Sequence, residues 1–371
     1  MSVARASEGM SALVFRGTGQ PFDLIAVNHV DLREGDALVE VELATICGSD
    51  LHTIDGMRGA PVPLVLGHEH VGRVVALGPG LPPRTADGHD LTIGMRVVWG
   101  IAVDCGHCRY CLAGFPQKCT TLRKYGHERL DEGWQLNGGF ATHVHVLAGT
   151  PIVAVPDDLP SAMLAPASCA TATVMAGFAS ATAIRPLAGA TVAISGCGML
   201  GLTAIAVAVA AGATVVASDP DGDRRAAATR FGAAETSDGS LAGWRAALAE
   251  VPEGEHGYAI ALELSGSPTA VQQLVSLGDV GAVLVLVGSV FPAGTVAVDP
   301  EAVVRGLLTI RGVHNYTAEH LLDAVRFLEK ADRDAFSELV GPGHPLREID
   351  AALDDARSRR TARAALAPAR V

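Results

Sequence analysis

The stretch "CGHCRYCLAGFPQKC", residues 105–119, contains four of the seven cysteines of this 371-residue chain. Thiolates are soft ligands, and four of them around one ion form a closed tetrahedral zinc site. The spacing therefore predicts a structural zinc held by Cys105, Cys108, Cys111 and Cys119. An iron–sulfur cluster is the main alternative, since a C-x2-C-x2-C run also suits it. Four unligated cysteines are the third possibility.

A second set of ligand types is spread along the chain. Cys47 and His68 each follow a hydrophobic run that is typical of a strand, and Cys169 lies in "APASCATATVMAG". A catalytic zinc keeps three protein ligands and one position for water or substrate. By themselves these three residues are weak evidence, because a buried cysteine is more often part of the packing.

A glycine-rich turn at residues 196–201 is the third chemical motif. The run "GCGMLG" follows the β-branched stretch "TVAIS" and precedes an Ala/Leu-rich helical stretch. A second predicted strand, "TVVAS", is followed by an aspartate at the distance expected of an acid that binds ribose. This order of elements predicts dinucleotide binding, with the pyrophosphate at the helix N-terminus. The residues assigned to it are Gly196, Gly198, Met199, Leu200, Gly201 and Asp219.

These motifs require two kinds of supporting structure. Alternating strand and helix patterns from about residue 160 to 312 predict a doubly wound parallel sheet of six strands. Residues 1–150 are rich in strand patterns and Gly/Pro turns, whereas residues 313–371 have a helical pattern up to a final "RAALAPA". The predicted fold class is therefore α/β, a β-rich domain with a dinucleotide-binding domain.

Composition limits the classes of partner. Hydrophobic residues make up 49% of the chain and charged residues 18%, so a large core is expected. The formal charge of −12 argues against nucleic acid or an anionic membrane as partner, since both require a basic surface. No basic-then-apolar signal pattern opens the chain. We therefore expect a reducing cytoplasm, where clustered cysteines bind metal more often than they form disulfides.

Together these motifs resemble the zinc-dependent medium-chain alcohol dehydrogenases over essentially the whole chain. The resemblance is carried by "CGSDLH" at 47–52, "GHE" at 67–69, the four-cysteine lobe, "CATAT" at 169–173 and "SGCGMLG" at 195–201. It implies a GroES-like catalytic domain, residues 1–160 and 313–371, around a Rossmann domain, residues 161–312. The structural-zinc lobe then covers about 104–120. A homodimer or homotetramer is also implied, with subunit contacts near the lobe.

The resemblance assigns the catalytic zinc to Cys47, His68 and Cys169. It places Glu69 behind the site as a carboxylate that enters the coordination sphere in some relatives. Ser49 and His52 resemble a relay that carries the alcohol proton to solvent, with an ordinary surface histidine as the alternative for His52. Asp50 is expected to orient His68, or else to be a turn aspartate.

NAD is the expected cofactor, because Asp219 would accept both ribose hydroxyls and repel a 2′-phosphate. Arg224 follows closely, however, and an arginine can receive that phosphate. Arg363 resembles a C-terminal arginine that binds a cofactor phosphate in relatives, with a solvated arginine as the alternative. Thr173, in "CATAT", is assigned to the cofactor by the same resemblance.

Two short stretches, "LRKYGHE" at 122–128 and "APASCATAT" at 165–173, resemble alcohol dehydrogenases associated with phosphonate metabolism. Arg58, Lys124 and His127 are accordingly predicted to contact an anionic substrate, a small hydroxyalkyl phosphonate. The alternative is that these cations balance nearby surface acids. The substrate would then be a neutral primary or secondary alcohol or a polyol.

Two other classes share parts of this pattern. A non-enzymatic NAD-binding sensor would keep the Rossmann domain but would not need three catalytic ligands and a relay. A zinc-free enoyl reductase would lack the "GHE" and cysteine sites. The sequence therefore predicts an enzyme with one catalytic and one structural zinc per chain. It transfers hydride between an alcohol and NAD, giving an aldehyde or ketone.

Overall fold

A computed structural model describes residues 9–368 of the chain. They divide into two compact units, one that ends at Cys169 and resumes at Thr317, and a second formed by Ala170–Tyr316. Sequence patterns placed the boundaries at 160 and 313. The first boundary lies further along because the 3-10 turn Ala165–Ser168 contacts strands of the first unit.

The N-terminal part of the first unit is built mainly from strands, as the turn-rich sequence predicts. Its strands are β1 (Met10–Phe15), β2 (Asp23–Val27), β3 (Ala37–Ile46), β4 (Leu64–Val65), β5 (Glu69–Leu77), β6 (Arg96–Trp99), β7 (Ala102–Val103), β8 (Arg123–Lys124), β9 (His143–Val146) and β10 (Ile152–Ala154). Its helices are α1 (Gly48–Ile54), α2 (Arg109–Leu112) and α3 (Ser161–Leu164), with 3-10 turns at Pro116–Lys118 and Ala165–Ser168.

The second unit alternates helices and strands. Its helices are α4 (Ala170–Thr182), α5 (Met199–Ala210), α6 (Gly222–Arg230), α7 (Leu241–Ala249), α8 (Pro268–Leu277) and α9 (Pro300–Arg305), with a 3-10 turn at Gly254–His256. Its strands are β11 (Thr191–Ser195), β12 (Thr214–Ser218), β13 (Glu235–Ser237), β14 (Tyr258–Glu263), β15 (Gly278–Leu286) and β16 (Thr309–Gly312). All six are parallel, in the order β13-β12-β11-β14-β15-β16. This is the doubly wound sheet that the sequence predicts.

The chain then returns to the first unit. The returning elements are α10 (Ala318–Leu328), α11 (Arg333–Ser337), β17 (Val340–His344), a 3-10 turn at Leu346–Glu348, α12 (Ile349–Ser358) and β18 (Arg363–Leu366). The prediction of a helical pattern up to the final "RAALAPA" is thus wrong for β17. The run "RAAL" forms a strand because it pairs antiparallel with β3, which places Ala364 opposite Ile46. Pairing with a neighbouring strand outweighs the intrinsic preference of alanine and leucine for helix.

Three sheets organise the first unit. The largest has the order β10-β6-β5-β3-β18-β17, with β9 also paired to β3. A second sheet has the order β2-β1-β4, and β7 pairs with β8 in a separate ribbon. Because β3, β5 and β18 are neighbours, the residues at their ends meet at one place, where the candidate site lies.

Among residues 9–368, no single helix is both long and apolar enough to cross a membrane. One bent pair of helices, Ser161–Ser168 with Ala170–Thr182, has the length and the apolar composition of a membrane span. Most of its residues are buried in the protein.

Candidate active site

Three metal-ligand side chains converge in the first unit. Cys47 follows β3 and caps α1, His68 directly precedes β5, and Cys169 follows the 3-10 turn at 165–168. One ligand atom from each lies within 4.8 Å of the other two, a spacing that one tetrahedral ion can bridge. The hydrogen bond from Cys169 and the charge of Arg363 lower the pKa of Cys47 well below its usual value, against the effect of burial. A cysteine thiolate is the form that binds metal, so the donor set fits zinc.

Asp50 connects two of these ligands. Its Oδ2 accepts a hydrogen bond from the backbone N–H of Cys47 at 2.9 Å, and its Oδ1 lies 3.4 Å from Nδ1 of His68. Burial lowers the pKa of His68, but the Asp50 carboxylate outweighs burial and raises this pKa to about 10. A carboxylate behind a metal-binding histidine fixes the ring and increases its basicity. The contact agrees with the orienting role expected from the sequence and leaves Nε2 for a metal.

Ser49 and His52 lie about one turn apart on α1. The Oγ atom of Ser49 is 3.3 Å from Nε2 of His68, so the hydroxyl lies beside the ligand cluster. His52 is half-buried and follows at the i, i+3 spacing that brings two side chains to the same helix face. The structure thus places a hydroxyl and an imidazole in succession, and their relay role stays a prediction.

Glu69 is completely buried behind the ligands and is held by a salt bridge that the sequence did not reveal. Arg363 on β18 donates from Nε to Oε2 at 2.7 Å and from Nη2 to Oε1 at 3.0 Å. Thr45 donates a further hydrogen bond to Oε2 at 2.6 Å. Nη2 of Arg363 also lies 3.7 Å from Sγ of Cys47. The predicted contacts of Glu69 with zinc and of Arg363 with a cofactor phosphate stay predictions. Either contact would have to form while the Glu69–Arg363 ion pair is kept.

Three further predicted residues lie near the ligand cluster. The rings of His127 and His68 are 4.8 Å apart between centroids. Burial and the charge of Arg58 lower the pKa of Lys124 to about 8, while burial lowers the pKa of Arg58 itself. Burial, followed by the charge of His68, lowers the pKa of His127 well below its usual value. The structure therefore groups Arg58 with Lys124 and His127, which lie more than sixty residues further along the chain.

The cations of this region are not all alike. Arg123 forms a salt bridge with Glu128 and lies 3.8 Å from Asp131, as the surface-charge alternative requires. Among residues 9–368, the side chains of Lys124 and Arg58 form no hydrogen bond or ion pair. Two partly buried cations next to the ligand cluster are thus left without an anionic partner in the part of the chain that the structure describes.

The glycine turn of the second unit has the predicted local structure. Gly198 caps α5, and a Cβ at Gly201 would lie 1.8 Å from the carbonyl oxygen of Gly196, so only glycine permits this close packing. Asp219 follows β12 and accepts a hydrogen bond from the backbone N–H of Cys197 at 2.9 Å. Arg224 lies 3.7 Å from its carboxylate. Of the remaining cofactor predictions, Met199 and Leu200 begin α5 and Thr173 lies on α4.

The four cysteines of the lobe also form one cluster. A ligand atom of each lies within 4.8 Å of the other three. The backbone N–H groups around Cys108 lower the pKa of this thiol to about 5, which favours the thiolate. His107 lies outside the cluster, with its Nδ1 at 2.6 Å from the carbonyl oxygen of Cys105. Four thiolates leave no open position, so the donor set fits a structural zinc.

Comparison with known families gives two matches. The family described as "Alcohol dehydrogenase GroES-like domain" matches residues 33–157, and the family described as "Zinc-binding dehydrogenase" matches residues 200–330. The L-threonine 3-dehydrogenase of Streptomyces coelicolor is 32% identical over 361 residues, which cover 95% of this chain and 97% of that protein. An alcohol dehydrogenase of Moraxella sp. is 32% identical over 307 residues, or 82% and 84% of the two chains.

Solved structures show the same architecture. The crystal structure of an alcohol dehydrogenase from Thermotoga maritima has a TM-score of 0.91 at 28% identity and covers 97% of this chain and 100% of that chain. A structure described as a zinc-binding dehydrogenase from Sinorhizobium meliloti, bound to NADP, has a TM-score of 0.84 at 26% identity. It covers 98% of this chain and 100% of that chain.

Proposed function

This chain belongs to the zinc-dependent medium-chain alcohol dehydrogenases. From this membership we propose that it uses NAD to oxidise a small anionic alcohol, a hydroxyalkyl phosphonate, to the aldehyde or ketone. The family establishes a zinc-binding oxidoreductase with a nicotinamide cofactor. The anionic substrate and the choice of NAD over NADP are the proposal.

The chemistry needs a metal, a proton path and a hydride acceptor. Zinc held by Cys47, His68 and Cys169 supplies a Lewis acid that lowers the pKa of an alcohol. The Oγ atom of Ser49, beside Nε2 of His68, accepts the alcohol proton and passes it towards His52. The imidazole of His52 then exchanges that proton with solvent, because histidine can both accept and donate one.

The proton path has a direct test. His52→Gln should slow alcohol oxidation near neutral pH by roughly tenfold or more, with partial recovery at higher pH or with added buffer bases. The measurement is a pH–rate profile with a substrate whose chemical step is rate-limiting. A profile identical to that of the wild type would remove His52 from the path.

One observation carries the substrate class. Burial and then the charge of Arg58 lower the pKa of Lys124, and burial lowers the pKa of Arg58, yet neither side chain has an ion-pair partner among the described residues. Partly buried charges without partners are unfavourable, so proteins rarely retain them without a ligand that offsets the cost. An anionic group on the substrate supplies the missing charge. Arginine and lysine bind phosphonate oxygens by charge-assisted hydrogen bonds.

The test compares matched substrates. In zinc-analysed protein, kcat/KM with NAD+ for 2-hydroxyethylphosphonate should exceed that for 1-propanol by roughly ten- to hundredfold, because a hydrogen bond to a charged group contributes roughly 1.5–3 kcal/mol. Arg58→Ala and Lys124→Ala should each reduce this preference, and the double variant should abolish it. Arg129→Ala is the matched control, since it removes an exposed cation from the same segment. Equal kcat/KM for the two alcohols would contradict the phosphonate proposal and favour a neutral alcohol or polyol as substrate.

L-threonine is a second candidate, because several relatives of about a third identity carry the name L-threonine 3-dehydrogenase. Its carboxylate could bind the same two cations, whereas its ammonium group would be repelled by them. The same comparison of kcat/KM should therefore include L-threonine, with 2-butanol as its uncharged counterpart. A higher kcat/KM for L-threonine than for 2-hydroxyethylphosphonate would replace the phosphonate proposal.

The preference for NAD rests on Asp219. Its carboxylate lies at the end of β12, and the neighbouring Arg225 donates to the carbonyl oxygens of residues 219 and 220 rather than remaining free for a phosphate. Arg224 is the remaining candidate for a 2′-phosphate contact. If the wild-type protein had a higher kcat/KM with NADP+ than with NAD+, the role given to Asp219 would be wrong.

We also propose a homodimer or homotetramer. β16 lies at the edge of its sheet, and the neighbouring Val304 and Leu307 are 72% and 68% exposed. An edge strand preceded by exposed apolar side chains is suited to pair with the same strand of a second copy. Light scattering after size exclusion tests this, and a stable monomer at micromolar concentration would contradict it.

A further inference from the structure

The carboxylate of Glu128 connects two adjacent residues of β8. Its Oε1 accepts a hydrogen bond from the backbone N–H of Lys124 at 2.5 Å, and its Oε2 accepts one from Nε of Arg123 at 2.5 Å. Its side chain is 24% exposed. Its negative charge is therefore paired with the Arg123 guanidinium, while its contact with Lys124 is to the backbone and not to the ammonium group.

The turn that Glu128 closes lies directly against a metal ligand. Gly126 has a φ of +72°, and a Cβ at this position would lie 2.6 Å from the carbonyl oxygen of Gly67. Only glycine permits this approach, which brings the turn beside the residue that precedes His68. The amide N–H of Gly126 donates to the carbonyl oxygen of Asn137 at 2.8 Å, which fixes the turn from the other side.

The same arrangement explains why the Lys124 ammonium group has no ion-pair partner within residues 9–368. Glu128 lies only four residues further along the chain and would be the natural anion for this ammonium group. Arg123 occupies it instead, and also stacks on the ring of Trp134 at 4.5 Å. The turn thus separates its charges, so that Arg123 is neutralised while Lys124 keeps its charge next to the ligand cluster.

We propose that Glu128 is a positioning residue for substrate charge: it fixes the backbone of Lys124 and pairs with Arg123, so that the Lys124 ammonium remains available to an anionic substrate. This inference rests on the proposed function, in which Lys124 binds the anionic group. It assigns to Glu128 no contact with the substrate.

The first experiment measures the ratio of kcat/KM for 2-hydroxyethylphosphonate to that for 1-propanol. Glu128→Ala removes both contacts and should lower this ratio about tenfold, mainly through KM for the phosphonate, because the lost contact is one to a charged group. Glu128→Gln keeps an oxygen acceptor for the Lys124 N–H and should recover part of the ratio. Asp131→Asn is the matched control. It also removes a carboxylate near Arg123 but does not touch Lys124, and it should leave the ratio unchanged.

A second variant covers the case in which Glu128→Ala does not fold. Arg123→Ala leaves the Glu128 carboxylate without its partner and able to pair with Lys124. This variant should also lower the ratio, although it removes no residue that faces the substrate. Folded variants of Glu128 and Arg123 that both retain the wild-type ratio would overturn the proposal.

A readout without turnover separates this inference from the proposed function. Competitive acylation with acetic anhydride, quantified by mass spectrometry of the Lys124 peptide, reports the environment of its amine. Glu128→Ala or Arg123→Ala should change this rate by about threefold, equivalent to half a pKa unit, and Asp131→Asn should not. If the wild type shows no preference for the phosphonate, the substrate proposal fails. The acylation rate of Lys124 then tests the role of Glu128 by itself. A rate that is the same in Glu128→Ala, Arg123→Ala and the wild type would overturn that role.

Discussion

The two metal-ligand clusters of this chain have similar donor atoms but different surroundings. In the lobe, Cys105–Cys119, all four ligands come from one loop, and hydrogen bonds to the cysteines come mainly from backbone N–H groups. In the other cluster, Cys47, His68 and Cys169 come from three separate segments. Charged side chains surround them, among them a buried aspartate, a buried Glu–Arg pair and two cations with no ion-pair partner among the described residues.

From this difference we infer that the lobe serves stability and the other cluster serves chemistry. Four thiolates complete a tetrahedral shell, so a metal in the lobe can only hold the loop together. Three ligands leave one position, and the charged groups around them can bind, orient and deprotonate a substrate. If this division is right, the same kind of change should affect the two clusters differently.

Removing one ligand from each cluster should have opposite consequences. Cys47→Ser should abolish alcohol oxidation and leave the folded structure largely intact. Cys108→Ser should destabilise the protein by on the order of 4 kcal/mol, since a structural metal contributes directly to folding free energy. Turnover measures the loss of activity, thermal unfolding followed by circular dichroism measures fold and stability, and elemental analysis measures the zinc content of each variant. The division fails if fully active, freshly purified enzyme contains one zinc per chain.

Removing a carboxylate charge should lower the free energy of unfolding much more near the Cys47–His68–Cys169 cluster than near the lobe. Glu69→Gln leaves the buried Arg363 guanidinium without its counter-ion and should cost about 3 kcal/mol. Asp104→Asn, beside Cys111 in the lobe, affects a half-buried carboxylate that accepts a backbone hydrogen bond and should cost less than about 1 kcal/mol. Urea unfolding of zinc-loaded protein measures both. Equal losses would show that the charged surroundings of the catalytic cluster contribute no more than those of the lobe.

The substrate preference should depend on pH through Lys124. Because burial and Arg58 lower the pKa of Lys124 to about 8, its ammonium is charged below this pH and becomes neutral as the pH rises through it. The ratio of kcat/KM for the phosphonate to that for 1-propanol should therefore fall by about tenfold between pH 7 and pH 9.5. This ratio reports the free enzyme. The phosphonate gains its second negative charge in the same pH range, so the reference is Lys124→Arg, which keeps the cation at this position. The wild-type ratio should fall relative to that of Lys124→Arg, and parallel pH profiles of the two proteins would contradict the assignment.

The smallest effect is expected at His107. This residue lies within the lobe sequence but outside its ligand cluster, with an exposed side chain. His107→Ala should retain both zinc ions and change the free energy of unfolding by less than about 0.5 kcal/mol, as is usual for surface positions. Loss of one zinc from the purified variant would mean that the lobe uses histidine as a ligand.

The sequence by itself determined the features that depend on short stretches of chain. The glycine turn at 196–201, its flanking strands and Asp219 lie within one strand–helix–strand unit, so their order alone predicts the local structure. The lobe is similar, because short spacing brings four thiols together whatever the rest of the chain does. Cys47, His68 and Cys169 were identified only through resemblance to a family, since no local pattern connects them.

Tertiary structure alone decided the partners of the charged residues. Arg363 meets Glu69 across 294 positions because β18 pairs with β3, although its own segment favours helix. Arg123 and Lys124 are adjacent cations that sequence cannot tell apart. Successive side chains of a strand point to opposite faces. Here Arg123 is neutralised by Glu128, while Lys124 has no ion-pair partner within the described range, residues 9–368, and lies near the predicted metal ligands. Residue type sets the charge of a side chain, but its partner depends on which segments the fold brings into contact.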